Sequence, residues 1–296
     1  MIRLALALPL ALLASITTPA LAQVPPAPAA SATTQLERIS IRDEGGTGPA
    51  VILIPGLASP REVYAPFVPT LRARHRVFTV QVNGFGGDDP RANVKAGMLD
   101  GIVAELDGFV RERQLGRVAV VGHSMGGLAG MMLAARRPQS VGRLMVVDAL
   151  PFFGSLFDVS ATPEALAPQA ARMRDATAAD HGKPTPEVTT DPGGIWSMTP
   201  AGRIQVARWS RAADRRAVAT GLYEAMTTHV GPQLGKVTAR PFTVLYAAGA
   251  GPRAEEIWQQ AYRGSPATLT GIPASYHFIM LDQPQAFAAE LERFLG

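Results

Sequence analysis

The chain has 296 residues, 47% hydrophobic and 18% charged, enough to bury one sizeable core and leave room for an inserted subdomain. Its 28 lysines and arginines against 24 acidic residues form no basic run interleaved with aromatics, which argues against a nucleic-acid partner. Cysteine is absent, which excludes disulfides, a thiol nucleophile and a thiolate metal site.

The first 22 residues differ from the rest. Arg3 supplies a positive start, residues 4–16 an apolar run, and Ala20-Leu21-Ala22 a small-x-small cleavage signal. This pattern predicts a secretory signal peptide cut after Ala22, and hence a periplasmic or secreted mature protein. The run is short for a bilayer and is broken by Pro9 and Pro19, so no stable membrane span is expected after cleavage. Residues 23–34 (QVPPAPAASATT) have no periodicity and read as an extended, solvated leader.

Residues 36–42 (LERISIR) alternate like a half-exposed strand, and GGTG at 45–48 turns the chain. VILI at 51–54 is a short continuous apolar run, as a buried parallel strand requires. Pro55-Gly56-Leu57 ends it, and the amphipathic stretch that follows is limited to helical pieces by Pro66 and Pro69. VFTVQV at 77–82 is the next strand, followed by a Gly-rich loop at 83–87. Helical spacing of Leu99, Ile102, Val103, Leu106, Phe109 and Val110 marks residues 93–114.

Residues 118–127 then read VAVVGHSMGG, and LAGMMLAARR follows at once. The order is strand, sharp turn, helix, with Ser124 at the apex and a glycine two positions to either side. A Cβ at either glycine would crowd such a turn, which projects the serine hydroxyl at the carboxyl end of a strand beside the positive end of a helix. Residues 143–147 (RLMVV) form another strand ending at Asp148. From 151 to about 237 the pattern breaks into a mostly helical insertion rich in Ala, Pro and Arg. Strand-like FTVLY at 242–246, a helix over 254–262, a short strand near 267–270 and a final helix from Gln285 resume the alternation. The expected architecture is α/β: a doubly wound, mostly parallel sheet with helices on both faces, built from residues 35–150 and 238–296, with a helical cap at 151–237.

VILIPGL, the VVGHSMGG elbow and the late SYHFIMLDQPQAF segment together resemble the α/β-hydrolase fold superfamily, serine esterases and lipases included. That resemblance implies the chain order nucleophile, acid, histidine, with ligands at the carboxyl ends of the strands. Ser124 is then the nucleophile. Of five histidines (His75, His123, His181, His229, His277), only His277 follows the last strand and precedes the final helix, where the family carries its base. Many relatives place an aspartate just past the strand equivalent to FTVLY, but this chain has Ala247-Ala248-Gly249-Ala250-Gly251-Pro252 there. Asp148 is the expected acid, with Glu255, or a dyad without an acid, as alternatives.

The resemblance places the oxyanion-hole donors at the backbone N–H groups of Leu57 and Met125. Phe152, Phe153 and Trp196 are candidates to line an apolar substrate pocket under the cap, against the plainer reading that they are cap-core residues. The leading functional expectation is a serine hydrolase cleaving a carboxylic ester or lactone, small or polymeric, through an acyl-enzyme on Ser124, with no cofactor and no metal. The alternatives are a cofactor-free lyase, perhydrolase or C–C hydrolase on the same scaffold, or a non-catalytic binding protein.

Overall fold

The computed structural model describes residues 32–158 and 160–296. The expected signal peptide and all of the leader before Ala32 lie outside them. Among the described residues no helix is long and apolar enough to cross a membrane.

Eight strands form one sheet: β1 (Thr33–Gln35), β2 (Ile39–Gly45), β3 (Ala50–Ile54), β4 (Arg76–Val82), β5 (Val118–His123), β6 (Val141–Val147), β7 (Phe242–Ala247) and β8 (Thr268–Ile272). Their spatial order is β1-β2-β4-β3-β5-β6-β7-β8. The pairs β1–β2 and β2–β4 are antiparallel, and every other pair is parallel. All five residues of β3 and all six of β5 are buried. A parallel strand covered on both faces has no solvent side, which is why these segments are continuously apolar rather than alternating.

One face of the sheet is covered by α2 (Met98–Glu112), α3 (Met125–Arg136) and α7 (Arg253–Ala261), packed on Ile52, Val80, Val120 and Leu144. The other is covered by α1 (Val68–Arg72), α8 (Ile279–Asp282) and α9 (Pro284–Leu295), packed on Val51, Leu53, Val121 and Met145. The helical spacing in residues 93–114 resolves into a 3₁₀ turn at Arg91–Val94 and then α2, whose Leu99, Ile102, Val103, Leu106, Phe109 and Val110 are all buried. One boundary differs from the sequence reading: Thr33 and Thr34, assigned there to the leader, pair with Arg42 and Ile41 as an edge strand. Backbone hydrogen bonding, not burial, makes this strand.

Among the described residues of 151–237 are three α-helices: α4 (Pro163–Ala178), α5 (Pro200–Ala212) and α6 (Arg215–Thr227). Each starts on a side-chain cap: Thr162 accepts from the Ala165 N–H, Thr199 from Gly202, and Asp214 from Arg216 and Ala217. Proline opens α4 and α5, where a missing N–H costs nothing. The insertion is also tied to the core by charge. Glu224 of α6 accepts the N–H groups of Gly97, Met98 and Leu99, placing a carboxylate on the positive end of α2.

Candidate active site

The turn between β5 and α3 has the tightness that its glycines anticipate. A Cβ at Gly122 would lie 2.3 Å from the Gly126 carbonyl oxygen, and one at Gly126 only 2.4 Å from that of Ile54. Ser124 stands between them at φ 52°, ψ −121°, a conformation that a side chain rarely adopts. The Ser124 N–H donates to Val147 at 2.9 Å and its carbonyl accepts from Leu128 at 3.0 Å, so both neighbours hold the strained residue in place.

His277, on the loop between β8 and α8, brings its Nε2 to 3.0 Å from Ser124 Oγ. Its Nδ1 lies 2.7 Å from Oδ2 of Asp148. A carboxylate can only accept, so Nδ1 carries the proton and the Nε2 lone pair faces the serine hydroxyl. Asp148 directly follows β6 at φ 46°. Its other oxygen accepts the Ala247 N–H at 2.8 Å, so the carboxylate reaches from β6 to the end of β7, where the chain has no acid of its own. Glu255 lies elsewhere: it is exposed on α7, with its carboxylate on Gln259.

His123 is completely buried behind this group. Its Nε2 donates to the His277 carbonyl at 2.9 Å, and its ring packs on His277 and Phe278 at 4.6 and 4.7 Å. Burial, reinforced by the neighbouring His277, pushes its pKa well below the usual histidine value, so it is a neutral donor. Its side chain does not serve Ser124. His75 is buried, and burial together with Arg74 lowers its pKa.

Leu57 and Met125 flank Ser124 on either side of the turn after β3 and at the start of α3. Among the described residues, neither backbone N–H donates to a protein acceptor. The turn after β3 is shored by the buried Tyr64 hydroxyl, which donates to Ile54 at 3.0 Å. Above it, α6 approaches closely: a Cβ on Gly221 would lie 2.8 Å from Leu57 Cδ1 and 3.2 Å from Met125 Sδ.

The three pocket candidates separate. Phe152 is only 2% exposed and its ring packs on His229 at 4.7 Å, so it is a packing residue rather than an open wall. Phe153 is half-buried and meets Phe157 edge-to-face. Of the three, Trp196 alone packs on His277, with ring centroids 5.5 Å apart.

Sequence reasoning missed Asp282. Its carboxylate accepts the Tyr276 N–H at 2.8 Å, the Met198 N–H at 3.0 Å and the Ser197 hydroxyl, joining the histidine loop to the insertion. Standing just before Gln283-Pro284, it looks in the sequence like an ordinary residue at the start of a proline-led helix.

A doubly wound sheet with a strained serine between β5 and α3 and an acid–histidine pair beside it defines a hydrolase fold with a nucleophile elbow. The chain belongs to the alpha/beta hydrolase family, which it matches over residues 51–290. It is 31% identical over 116 residues to a putative carbamate hydrolase of Rhizobium rhizogenes, covering 37% of this chain and 43% of that one. It is 32% identical over 114 residues to the mouse (Mus musculus) sn-1-specific diacylglycerol lipase ABHD11, covering 38% and 36%. The chain therefore spans less than half the length of these curated relatives. Among solved structures it is similar to the enol-lactonase of Burkholderia xenovorans LB400, with a TM-score of 0.66, 19% identity, and coverage of 87% and 96%, a likeness of fold.

Proposed function

We propose that this protein is a serine hydrolase that cleaves a carboxylic ester or lactone through an acyl-enzyme on Ser124. The supporting observation is the hydrogen-bonded line from Ser124 Oγ through His277 to Asp148, at 3.0 and 2.7 Å. Ser124 attacks the carbonyl carbon as its proton passes to His277 Nε2, and the oxyanion forms between the Leu57 and Met125 N–H groups. Asp148 stabilises the resulting imidazolium and keeps the ring in register. The proton then moves to the departing alcohol oxygen as the C–O bond breaks. Water, deprotonated by His277, attacks the acyl carbon and releases the acid with Ser124 restored.

The test pairs p-nitrophenyl ester turnover with labelling by a fluorophosphonate. The wild type is expected to turn over the ester and to be labelled at Ser124, and Ser124→Ala to lose both. Asp148→Asn is expected to lower kcat by about 10⁴, the scale for losing the tautomer-holding acid, while Glu255→Gln keeps its rate. A wild type that neither hydrolyses esters nor reacts with the probe overturns the proposal. Near-full activity in Asp148→Asn removes Asp148 from it.

A further inference from the structure

We infer that Trp196 is the wall against which the departing alcohol packs, so that the site selects esters of apolar, ring-bearing alcohols. The inference rests on the acyl-transfer reading above, because that chemistry fixes where each half of the substrate lies. The alcohol oxygen must receive its proton from His277 Nε2, so the atoms attached to it lie on the histidine side of Ser124. Trp196 stands on that side, tilted 62° to the imidazole at a centroid distance of 5.5 Å.

Two observations make the ring a binding surface rather than packing. The first is exposure. Trp196 is 52% exposed although it packs on His277, so part of a large apolar ring meets water beside the reacting atoms. An apolar group laid on it would remove that area from water, and an aromatic one would add an edge or stacking contact. The second is rigidity. The Trp196 carbonyl accepts the Phe278 N–H at 2.8 Å, and the next two residues are held by Asp282. Arg203 closes the other end of the loop on both oxygens of Asp191. The backbone that carries the ring is thus anchored before substrate arrives, which lowers the ordering cost of binding.

The acyl half lies elsewhere. The oxyanion donors sit under α6, where a Cβ on Gly221 would come within 2.8 Å of Leu57 Cδ1 and 3.2 Å of Met125 Sδ. Trp196 is therefore expected to discriminate among alcohols and to ignore acyl length.

The test measures kcat/KM for benzyl acetate, 2-methoxyethyl acetate and benzyl butyrate in the wild type, Trp196→Ala and Trp196→Phe. The two alcohols have similar acidity, and comparing ratios between variants cancels intrinsic reactivity. The benzyl-to-methoxyethyl ratio is expected to fall about tenfold in Trp196→Ala, the scale of one lost aromatic contact with its buried area. It is expected to stay within about threefold in Trp196→Phe, where a ring remains. The butyrate-to-acetate ratio is expected to hold in all three. An equal fall for both acetates in Trp196→Ala would make the tryptophan only a shield for His277 and overturn the inference. A change confined to the butyrate-to-acetate ratio would overturn it too, by making the ring an acyl wall. If the wild type hydrolyses none of the three and Ser124 resists fluorophosphonate, the acyl-transfer reading fails and this inference falls with it.

Discussion

A buried imidazole that cannot charge has a measurable consequence. His123 gives its one N–H to the carbonyl of His277, and its Nδ1 has no partner among the described residues. In the folded protein it stays neutral well below the usual histidine range, whereas in the unfolded chain it binds a proton below about pH 6.5. The unfolded state then holds more protons than the native one, so stability is complete above about pH 6.5 and falls as pH drops, by about 1.4 kcal/mol per unit for this proton. His75 and His229 are also shifted down by burial and steepen the loss in the same sense. Urea unfolding between pH 5 and 7 should show this slope, and His123→Gln, which keeps an N–H donor, should flatten it by one proton. An unchanged slope in that variant would assign the loss to other groups. The residues of the line from Ser124 to Asp148 were legible to different degrees. Ser124 and His277 stand out because a strained elbow and a post-strand loop leave marks in local sequence. Asp148 was the expected acid but not the sole candidate, because its distinguishing contact with Ala247 crosses to a neighbouring strand. His123 could be placed in the elbow, but its bond to a carbonyl 154 residues later leaves no local pattern.

At the scale of elements, the elbow works because three backbones meet where no side chain intervenes. In Gly126→Ala the new Cβ would lie 2.4 Å from the Ile54 oxygen and 2.5 Å from that of Pro55, and neither is a flexible tip that can swing away. Either β3 or the start of α3 must shift, and with it the Met125 N–H. We expect a loss of about 3 kcal/mol, within the range of strongly disruptive core substitutions, read as a fall in Tm of about 6–12 °C for a domain of this size. Under the proposed mechanism the rate should fall as well, since the displaced atoms carry Ser124. A thermal scan and a turnover assay on one preparation check both, and an unchanged Tm would mean that the close contact is relieved cheaply. The same absence of a solvent side made β3 and β5 legible as apolar runs, and the one-sided burial of α2 made its period visible. Elements stabilised without an apolar pattern were not legible. β1 is held by its pairing to β2, and the four-residue α8 is too short to show a period.

Across the whole molecule, the insertion is fastened to the core on two sides of the site. Glu224 anchors α6 to α2, and Asp282 anchors the Trp196 loop to the segment that carries His277. The second anchor implies that the insertion and the histidine loop open together. Removing the carboxylate in Asp282→Ala strips the Tyr276 N–H, the Met198 N–H and the Ser197 hydroxyl of one shared acceptor. Each is a charge-assisted bond, but the site is only half-buried and water can replace part of the loss, so we expect a global cost of about 2 kcal/mol rather than the full sum. The local effect should be larger. Amide hydrogen exchange should accelerate together in peptides containing Met198 and in those containing Tyr276 and Phe278, because local opening now costs less than global unfolding. β5, buried in the centre of the sheet, should exchange as before apart from the global change. kcat should fall about tenfold, since His277 then spends part of its time out of line with Ser124. If only the Met198 peptides accelerate, the loop is an independent flap. If both segments loosen while kcat is untouched, the placement of His277 is held by His123 and Asp148 alone, and the insertion shapes the site without governing its chemistry.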